Sequence, residues 1–299
     1  MRTLSASGLA VAAALSLAAC GGGGNSGSQP TLGLDDIREL TGLSEPVETA
    51  AAQQARTQEI YARADSLVVS TMHIEEVLPD ETRRDHRGVS ECSGAECELL
   101  DPATGDTRTI GLDTPLGTPD EAEPVGSAHG ITLMSKSAHY MDLDVTSLGA
   151  WMEHSAFGLH RVRAVGEEAE YDTLYASALG ELTGRPLTGS ATWLGTMVGT
   201  PVAGDGRGDR LVGTAALNYD MDAGGLDAAF SGIRNVDRGT AHSVEAVIFS
   251  DLEVGPDGTF ARGQSGARIQ GGFYGPGHAE AAGIFEQSDI VGAFGAKRQ

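Results

Sequence analysis

The chain has 299 residues, 42 glycines, 5% aromatic residues and a formal net charge of −22. A surface this acidic repels nucleic acid and anionic lipid headgroups, so nucleic acid is excluded as a partner. Hydrophobic residues make up 40% of the chain, which allows one or two packed domains, and the many glycines predict tight turns.

Residues 1–19 have the features of an export signal. Arg2 carries their single positive charge, and residues 9–17 form an apolar stretch too short to span a bilayer. The stretch runs into Leu17-Ala18-Ala19-Cys20, which resembles a bacterial lipobox. That resemblance implies cleavage before Cys20 and lipidation of its thiol. The alternative is a buried cysteine in an ordinary apolar helix.

A glycine-rich polar tract at residues 20–31 favours the lipobox, because it has the composition of a flexible tether. Two or three acyl chains, palmitate among them, hold a protein on a membrane better than one chain does. No other segment approaches transmembrane length. We therefore expect a mature lipoprotein that is anchored to the membrane through Cys20 rather than spanning it.

Two cysteines, Cys92 and Cys97, remain if Cys20 is lipidated. An even number of cysteines in an oxidising compartment predicts a disulfide between them. The ring would be short, so its stabilisation should fall below the ~3 kcal/mol expected for a loop of about fifteen residues. The alternative, a metal or redox pair, lacks both a second ligand pair nearby and C-x-x-C spacing.

Residues 32–65 are predicted to be helical. Ile37, Leu40 and Leu43 recur at three-residue spacing, and Pro46 after Ser44 fits the start of a second helix. Residues 49–64 are rich in good helix formers but have only a weakly apolar face. This pattern predicts a helix that packs loosely or acts as a stalk.

Residues 66–185 are predicted to form a small strand-rich subdomain with long loops. Strands are expected at residues 66–74, 107–111 and 130–135, and a hairpin is expected from residues 148–152 and 157–162. The polar residues 83–87 and 91–98 predict loops. Residues 114–126 predict an acidic, proline-containing linker, and residues 167–171 predict a further break.

Residues 186–299 alternate regularly between apolar runs and turn signals. Glycine and aspartate cluster at residues 204–209, 222–225 and 255–258, as expected for hairpin turns. Eight antiparallel strands in this length fit a small up-and-down β-barrel, whose lumen holds side chains or at most one small ligand. The predicted strands are residues 189–198, 210–218, 226–233, 243–252, 259–262, 267–273, 280–285 and 289–296.

The order of these strands carries a resemblance. GSATWLGTMVG (residues 189–199), GGFYGPGHAEAAGIFE (271–286) and IVGAFGAKR (290–298) resemble the C-terminal eight-stranded β-barrel of the transferrin-binding protein B family of surface lipoproteins. In that family these residues shape the barrel rather than a ligand site. The matching structural positions are Phe273, Tyr274, Gly275, Pro276, Gly283, Phe285, Gly292, Phe294 and Gly295.

The resemblance implies a mainly β fold in which a strand-rich, handle-like subdomain at residues 66–185 precedes the barrel. It also implies a lipid-anchored, surface-exposed protein of a bacterial outer membrane, which binds a protein or a small iron-carrier ligand. Proteins of this family proper are about twice as long and have two lobes, whereas this chain has room for one. Transferrin recognition is therefore not implied.

Other candidate sites have simpler explanations. His154 and His160 beside Glu153 suggest a metal site, but a solvated loop explains them better. The segment after Asp220 resembles a calcium loop without enough oxygen ligands, so a hairpin turn is favoured. Arg207-Gly208-Asp209 is an adhesion-type tripeptide that arises easily by chance in a glycine-rich turn.

Two function classes follow from this pattern. The sequence contains no G-x-S-x-G or P-loop motif, and we expect no catalytic residues, cofactor or metal. A non-enzymatic binding lipoprotein that contacts its ligand through loops is favoured. The alternative is a structural or assembly lipoprotein of the periplasmic envelope.

Overall fold

Two helices and nineteen strands form the part of the chain described by the structure, which is a computed structural model. Cys20, the signal, the tether and most of the 114–126 linker lie outside the described residues. The structure describes residues 34–299 except 101, 103–104, 112–121, 141–142, 167, 187–188 and 221–223.

The two helices are α1 (Leu34–Thr41) and α2 (Ala50–Arg63). Neither described helix is long and apolar enough to cross a bilayer. The Thr49 side chain caps α2 by accepting a hydrogen bond from the Ala52 N–H group.

Helix α2 packs tightly, so the prediction of a loosely packed helix or stalk is wrong. Gln53, Thr57 and Ile60 are buried. The Gln53 amide donates to the Thr132 carbonyl at 2.8 Å and accepts from the Trp151 N–H group at 3.0 Å. Hydrogen bonds from buried polar side chains to strand backbone thus supplement the weak apolar face of the helix.

Ten strands form the first antiparallel sheet, in the order β5-β4-β3-β2-β10-β9-β8-β7-β6, with β1 paired to β10. We refer to it as the handle sheet. Its strands are β1 (Ser66–Val69), β2 (Met72–Val77), β3 (Arg83–Ser93), β4 (Glu96–Leu100), β5 (Thr107–Gly111), β6 (Glu123–Ala128), β7 (Ile131–Tyr140), β8 (Leu143–Trp151), β9 (Ser155–Val165) and β10 (Glu170–Gly180).

Several sequence predictions for this region are wrong. The expected loops at residues 83–87 and 91–98 are the strands β3 and β4, β6 starts inside the expected linker, and β10 starts inside the expected break. The expected single strand at 66–74 is interrupted between β1 and β2. Cross-strand pairs hold polar strands together: Arg83 lies 2.6 Å from Glu75, and His86 lies 2.9 Å from Glu76.

The second antiparallel sheet follows the order β14-β13-β12-β11-β19-β18-β17-β16, with β15 paired to β13. We refer to it as the barrel sheet. Its strands are β11 (Ser190–Pro201), β12 (Leu211–Asp220), β13 (Gly225–Asn235), β14 (Thr240–Ala241), β15 (Ala246–Glu253), β16 (Thr259–Gln264), β17 (Ala267–Tyr274), β18 (Glu280–Gln287) and β19 (Ile290–Arg298).

The eight longer strands of the barrel sheet correspond one to one to the eight predicted strands. The two ends of the sheet, β15 and β16, are consecutive in the chain and meet at a bridge between Val254 and Phe260. The Gly255 N–H group donates to the Thr259 carbonyl at 2.8 Å in the same turn. The predicted mainly β fold is confirmed, and its strands form two antiparallel sheets.

Aromatic side chains fill the interior of the barrel sheet. Phe230 stacks on Phe285 with ring centroids 4.3 Å apart, and Trp193 lies 4.6 Å from Phe273. These rings are fully buried, as is that of Phe294. Side chains therefore occupy the interior, as the strand count allows.

Strands β18 and β19 are buried on both faces, which explains how the two sheets meet. Phe285 and Phe294 point into the barrel, while Ile284 and Ala293 on the opposite face belong to the core shared with the handle sheet. A Cβ atom on Gly295 would lie 2.3 Å from the Phe157 ring of β9. Glycine thus lets β19 approach the handle sheet closely.

Candidate binding groove between the two sheets

Two buried glutamates on the outer face of β18 fasten the handle sheet to the barrel sheet. Glu280 accepts hydrogen bonds from the N–H groups of Glu153 and His154, at 2.9 and 3.1 Å, and from the Ser155 hydroxyl at 2.8 Å. Burial raises the pKa of Glu280, and these hydrogen bonds oppose the rise. The carboxylate holds the β8–β9 turn against the barrel.

Glu286, at the other end of β18, is 1% exposed. It accepts hydrogen bonds from the N–H groups of Thr71 and Gly266, both at 2.8 Å. Thr71 lies between β1 and β2 of the handle sheet, where the predicted single strand is interrupted. Satisfying a buried carboxylate in this way fixes the relative position of the two sheets.

A third connection comes from the loop between β11 and β12. The Arg207 guanidinium of this loop lies 2.9 Å from the Asp172 carboxylate of β10 and donates to the Asp172 carbonyl at 2.8 Å. Arg161 of β9 binds the same carboxylate with two hydrogen bonds, at 2.9 and 2.7 Å. Two arginines, one from each sheet, therefore share Asp172.

A polar groove opens beside this cluster, and we call it the Arg161 groove. It consists of three adjoining depressions of about 370, 510 and 360 Å³, all lined by Arg161. The handle sheet contributes Ser137, Asp144, Thr146, Arg161 and Arg163, and the barrel sheet and its loops contribute Gly208, Asp209, Arg210 and Asp237.

Charge pairing favours the ionised forms of Asp172 and Arg161. Burial opposes ionisation of Asp172, but the hydrogen bonds and charges of Arg161 and Arg207 hold its pKa below the ordinary value. The hydrogen bond to Asp172 raises the pKa of Arg161. Arg210 pairs with Asp237 at 2.7 Å. The groove is thus a fixed array of charges and hydroxyls.

Arg163 differs from the other arginines of the groove. It is exposed, and it makes no hydrogen bond or ion pair with any residue that the structure describes. It lies opposite Asp172 and Asp144 in the strand register, so acidic groups flank it without binding it. Its guanidinium can donate to a ligand without losing a partner in the protein.

The residues of the family motif lie outside this groove. Phe273, Phe285 and Phe294 belong to the barrel core. Added Cβ atoms on Gly283 and Gly292 would lie 2.8 Å from the Phe294 ring and 2.5 Å from the Phe285 ring. A side chain at either position would overlap an aromatic ring, which explains why both residues are glycine.

Tyr274, Gly275 and Pro276 lead out of β17 into the turn before β18. Tyr274 is fully buried in the core shared by the two sheets. Gly275 adopts a φ of 75°, and a Cβ atom there would lie 2.2 Å from the His154 ring. Left-handed backbone and close contact both require glycine at this position.

Other predicted candidates lie apart from one another. His160 is buried rather than in a solvated loop: its ring nitrogens lie 2.9 and 3.0 Å from the hydroxyls of Ser147 and Ser177. Burial lowers the pKa of His160 to about 3. No group of metal-ligating side chains occurs among the described residues. Most of the calcium-like turn after Asp220 lies outside them.

The adhesion-type tripeptide is engaged within the protein. Arg207 binds Asp172, and the Asp209 carboxylate pairs with Arg238 and accepts a hydrogen bond from the Asn235 amide at 2.8 Å. A partner that recognises such a tripeptide needs both side chains free. This segment therefore serves the junction of the two sheets.

Cys92 and Cys97 lie directly opposite each other on β3 and β4 and form a disulfide with an S–S distance of 2.05 Å. Cys97 is fully buried against the handle sheet.

The sequence did not point to Arg161, Arg163 or Asp172, because they form no local motif. Alternation along β9 and β10 is the signal that could have placed these three residues on one face. The strand predicted there ended at residue 162, before Arg163.

Comparison with known proteins supports the resemblance found in the sequence. The family model for the C-lobe and N-lobe β-barrels of transferrin-binding protein B matches residues 186–298. A search of curated proteins found no match. The predicted resemblance to this family is confirmed over the matched segment.

Solved structures of this group are similar in part. Intact Ap-TbpB, with N and C lobes, is 17% identical over 77% of this chain and 46% of its own, with a TM-score of 0.38. The N-lobe of lactoferrin-binding protein B of Moraxella bovis is 14% identical over 78% of this chain and 99% of its own, with a TM-score of 0.36. The chain thus spans about half the length of the intact two-lobe protein.

Proposed function

From a barrel that matches the transferrin-binding protein B family, we propose that this chain is a non-enzymatic, lipid-anchored binding protein displayed on a bacterial outer membrane. We further propose that its ligand contacts the Arg161 groove. The single observation behind the groove assignment is the convergence of side chains from both sheets around Arg161, next to the unpaired Arg163.

The remaining structure supports this choice of site. Aromatic side chains of the described residues fill the interior of the barrel sheet, which favours a site outside it. Glu280, Glu286 and Arg207 fix the two sheets relative to each other, so the groove is preorganised. A preorganised site loses less conformational entropy on binding. The mixed charges suit a polar, charged ligand, such as a protein surface or a small iron carrier.

Anchoring and display are tested in the producing cells. Palmitate labelling and mass analysis of the mature N-terminus should show a lipidated Cys20, and Cys20→Ala should abolish the label. Protease treatment of intact cells should digest the protein. If digestion requires a breached outer membrane, the proposal of display on the cell surface is wrong. That result would support the alternative, a structural or assembly lipoprotein of the periplasmic envelope.

The groove is tested by capture with the secreted domain carrying Cys20→Ser. Proteins and small molecules from culture fluid that bind the wild-type domain should be lost with Arg163→Glu and retained with Arg234→Glu. Arg234 is a matched control because it is also exposed and makes no ion pair among described residues. Equal capture by both variants would place the ligand elsewhere.

A further inference from the structure

A second, apolar cleft lies on the opposite face of the handle sheet from the Arg161 groove. The outer strands β4 and β5 curl over this face, so that Leu99 and Ile110 line the same space as Val162 and Ala164 of β9. The cleft has a volume of about 310 Å³. That is at the lower end of the ~300–1,000 Å³ typical of small-molecule sites.

Most of this face is covered by the protein itself. Helix α2 places Ile60 against Trp151 and Leu179 in one core cluster, and Cys97 and Leu99 extend the cluster over β1 and β2. Over the outer part of β9, in contrast, Val162 and Ala164 remain half-buried among the described residues. Leu143 beside them is 37% exposed.

One charged side chain lines the cleft. Arg108 of β5 lies opposite Leu99 in the strand register and shares the inward face of the curled strands with Ile110. It is exposed and makes no hydrogen bond or ion pair with the described residues. An unpaired guanidinium beside apolar walls complements a ligand with one anionic group and an apolar body.

Two tyrosines complete the wall. Tyr175 stacks on the buried His160 ring at a centroid distance of 4.8 Å, which fixes its orientation. Tyr171 lies within 3.4 Å of the Glu76 carboxylate, which also binds His86 at 2.9 Å. Glu76 is therefore paired, and among the described residues Arg108 is the charged side chain that lines the cleft.

We propose that this cleft, called the Arg108 cleft, binds a small carboxylate with a medium-length apolar chain. The chain lies along Ile74, Val162 and Ala164, and the carboxylate pairs with Arg108. The cleft opens on the face of β9 opposite Arg161 and shares only Ala164 and Tyr171 with the lining of the Arg161 groove. Its test with decanoate does not depend on the proposed function.

Calorimetric titration of the unlipidated Cys20→Ser chain with decanoate tests this site. Saturable binding of one decanoate per chain is expected. Acetate probes the carboxylate without the alkyl chain, and decyltrimethylammonium probes the same alkyl chain with the opposite charge. Arg108→Gln should weaken decanoate binding about tenfold to a hundredfold, the range for loss of one charge-assisted hydrogen bond. Ala164→Phe, which fills the cleft, should abolish it.

Matched controls are Arg234→Gln and Ala246→Phe, two exposed positions on the barrel sheet that should leave the affinity unchanged. Circular dichroism of each variant checks that it is folded; Arg108 is exposed, so Arg108→Gln provides the test even if Ala164→Phe unfolds the chain. Absence of saturable decanoate binding overturns the proposal. So does unchanged affinity in a folded cleft variant, or equal affinity for decyltrimethylammonium.

Discussion

The Glu280 carboxylate of the barrel sheet accepts a hydrogen bond of 2.8 Å from the Ser155 hydroxyl of the handle sheet. The two residues are 125 positions apart in the chain. Two backbone N–H groups of the same turn donate to the same carboxylate. This contact connects the turn that precedes β9, the strand of Arg161, directly to the barrel.

Replacing Glu280 tests how much this contact stabilises the junction. Glu280→Ala leaves three donors without an acceptor, of which the Ser155 hydroxyl is fully buried, and should lower the free energy of unfolding by about 3 kcal/mol. Glu280→Gln keeps one acceptor oxygen and should lower the free energy of unfolding by a smaller amount. Urea denaturation measures both, and an alanine variant as stable as the wild type would show that water replaces the carboxylate.

The buried His73 predicts a loss of stability in acid. Burial lowers its pKa from 6.5 to about 4, so the folded state binds the proton less well than the unfolded state. The stability that neutral His73 contributes is fully present above pH 6.5 and is lost as the pH falls towards 4. This loss in the free energy of unfolding is at most about 3 kcal/mol. Glu280, whose pKa is raised, has the opposite effect on stability, because ionising this buried carboxyl group destabilises the folded state more as the pH rises.

Urea denaturation of the wild type and His73→Gln between pH 7 and pH 4 separates these two effects. Glu280 contributes equally to both proteins, so the difference between them isolates His73. The wild type should lose more stability than the variant over this range. Parallel curves would show that His73 is solvated in the folded protein.

Gly295 and Phe157 form a close contact between the two sheets, and their coupling is measurable. Gly295→Ala should destabilise the protein by about 1 to 3 kcal/mol, because its Cβ atom overlaps the Phe157 ring. Phe157→Leu should relieve part of that overlap in the double variant. A double-mutant cycle without coupling would contradict this packing.

The Cys92–Cys97 disulfide should contribute modestly to stability. Its ring is short, so Cys92→Ser with Cys97→Ser should lose less than the ~3 kcal/mol expected for a loop of about fifteen residues. Non-reducing peptide mapping checks the bond itself, and a free Cys92 thiol in the exported protein would contradict it. Cys92→Ser alone leaves an unpaired Cys97 and serves as the comparison.

The sequence by itself determined the barrel strands, because their residues alternate between a buried face and the opposite face and their turns carry glycine and aspartate. Phe273, which the family resemblance marked as a structural position, lies in the barrel core beside Trp193. The polar first half of β3, residues 83–87, has no such pattern. It is a strand because its basic side chains reach the acidic side chains of β2: Arg83 pairs with Glu75, and His86 pairs with Glu76.

Only the tertiary structure decided where the two proposed ligand sites lie. Asp172, Arg161 and Arg207 meet because β9 and β10 pair and a barrel loop reaches across to them. The Arg108 cleft likewise depends on the curl of β4 and β5 over β9. Such contacts join residues far apart in the chain, and their energies depend on distance and burial, which local periodicity does not encode.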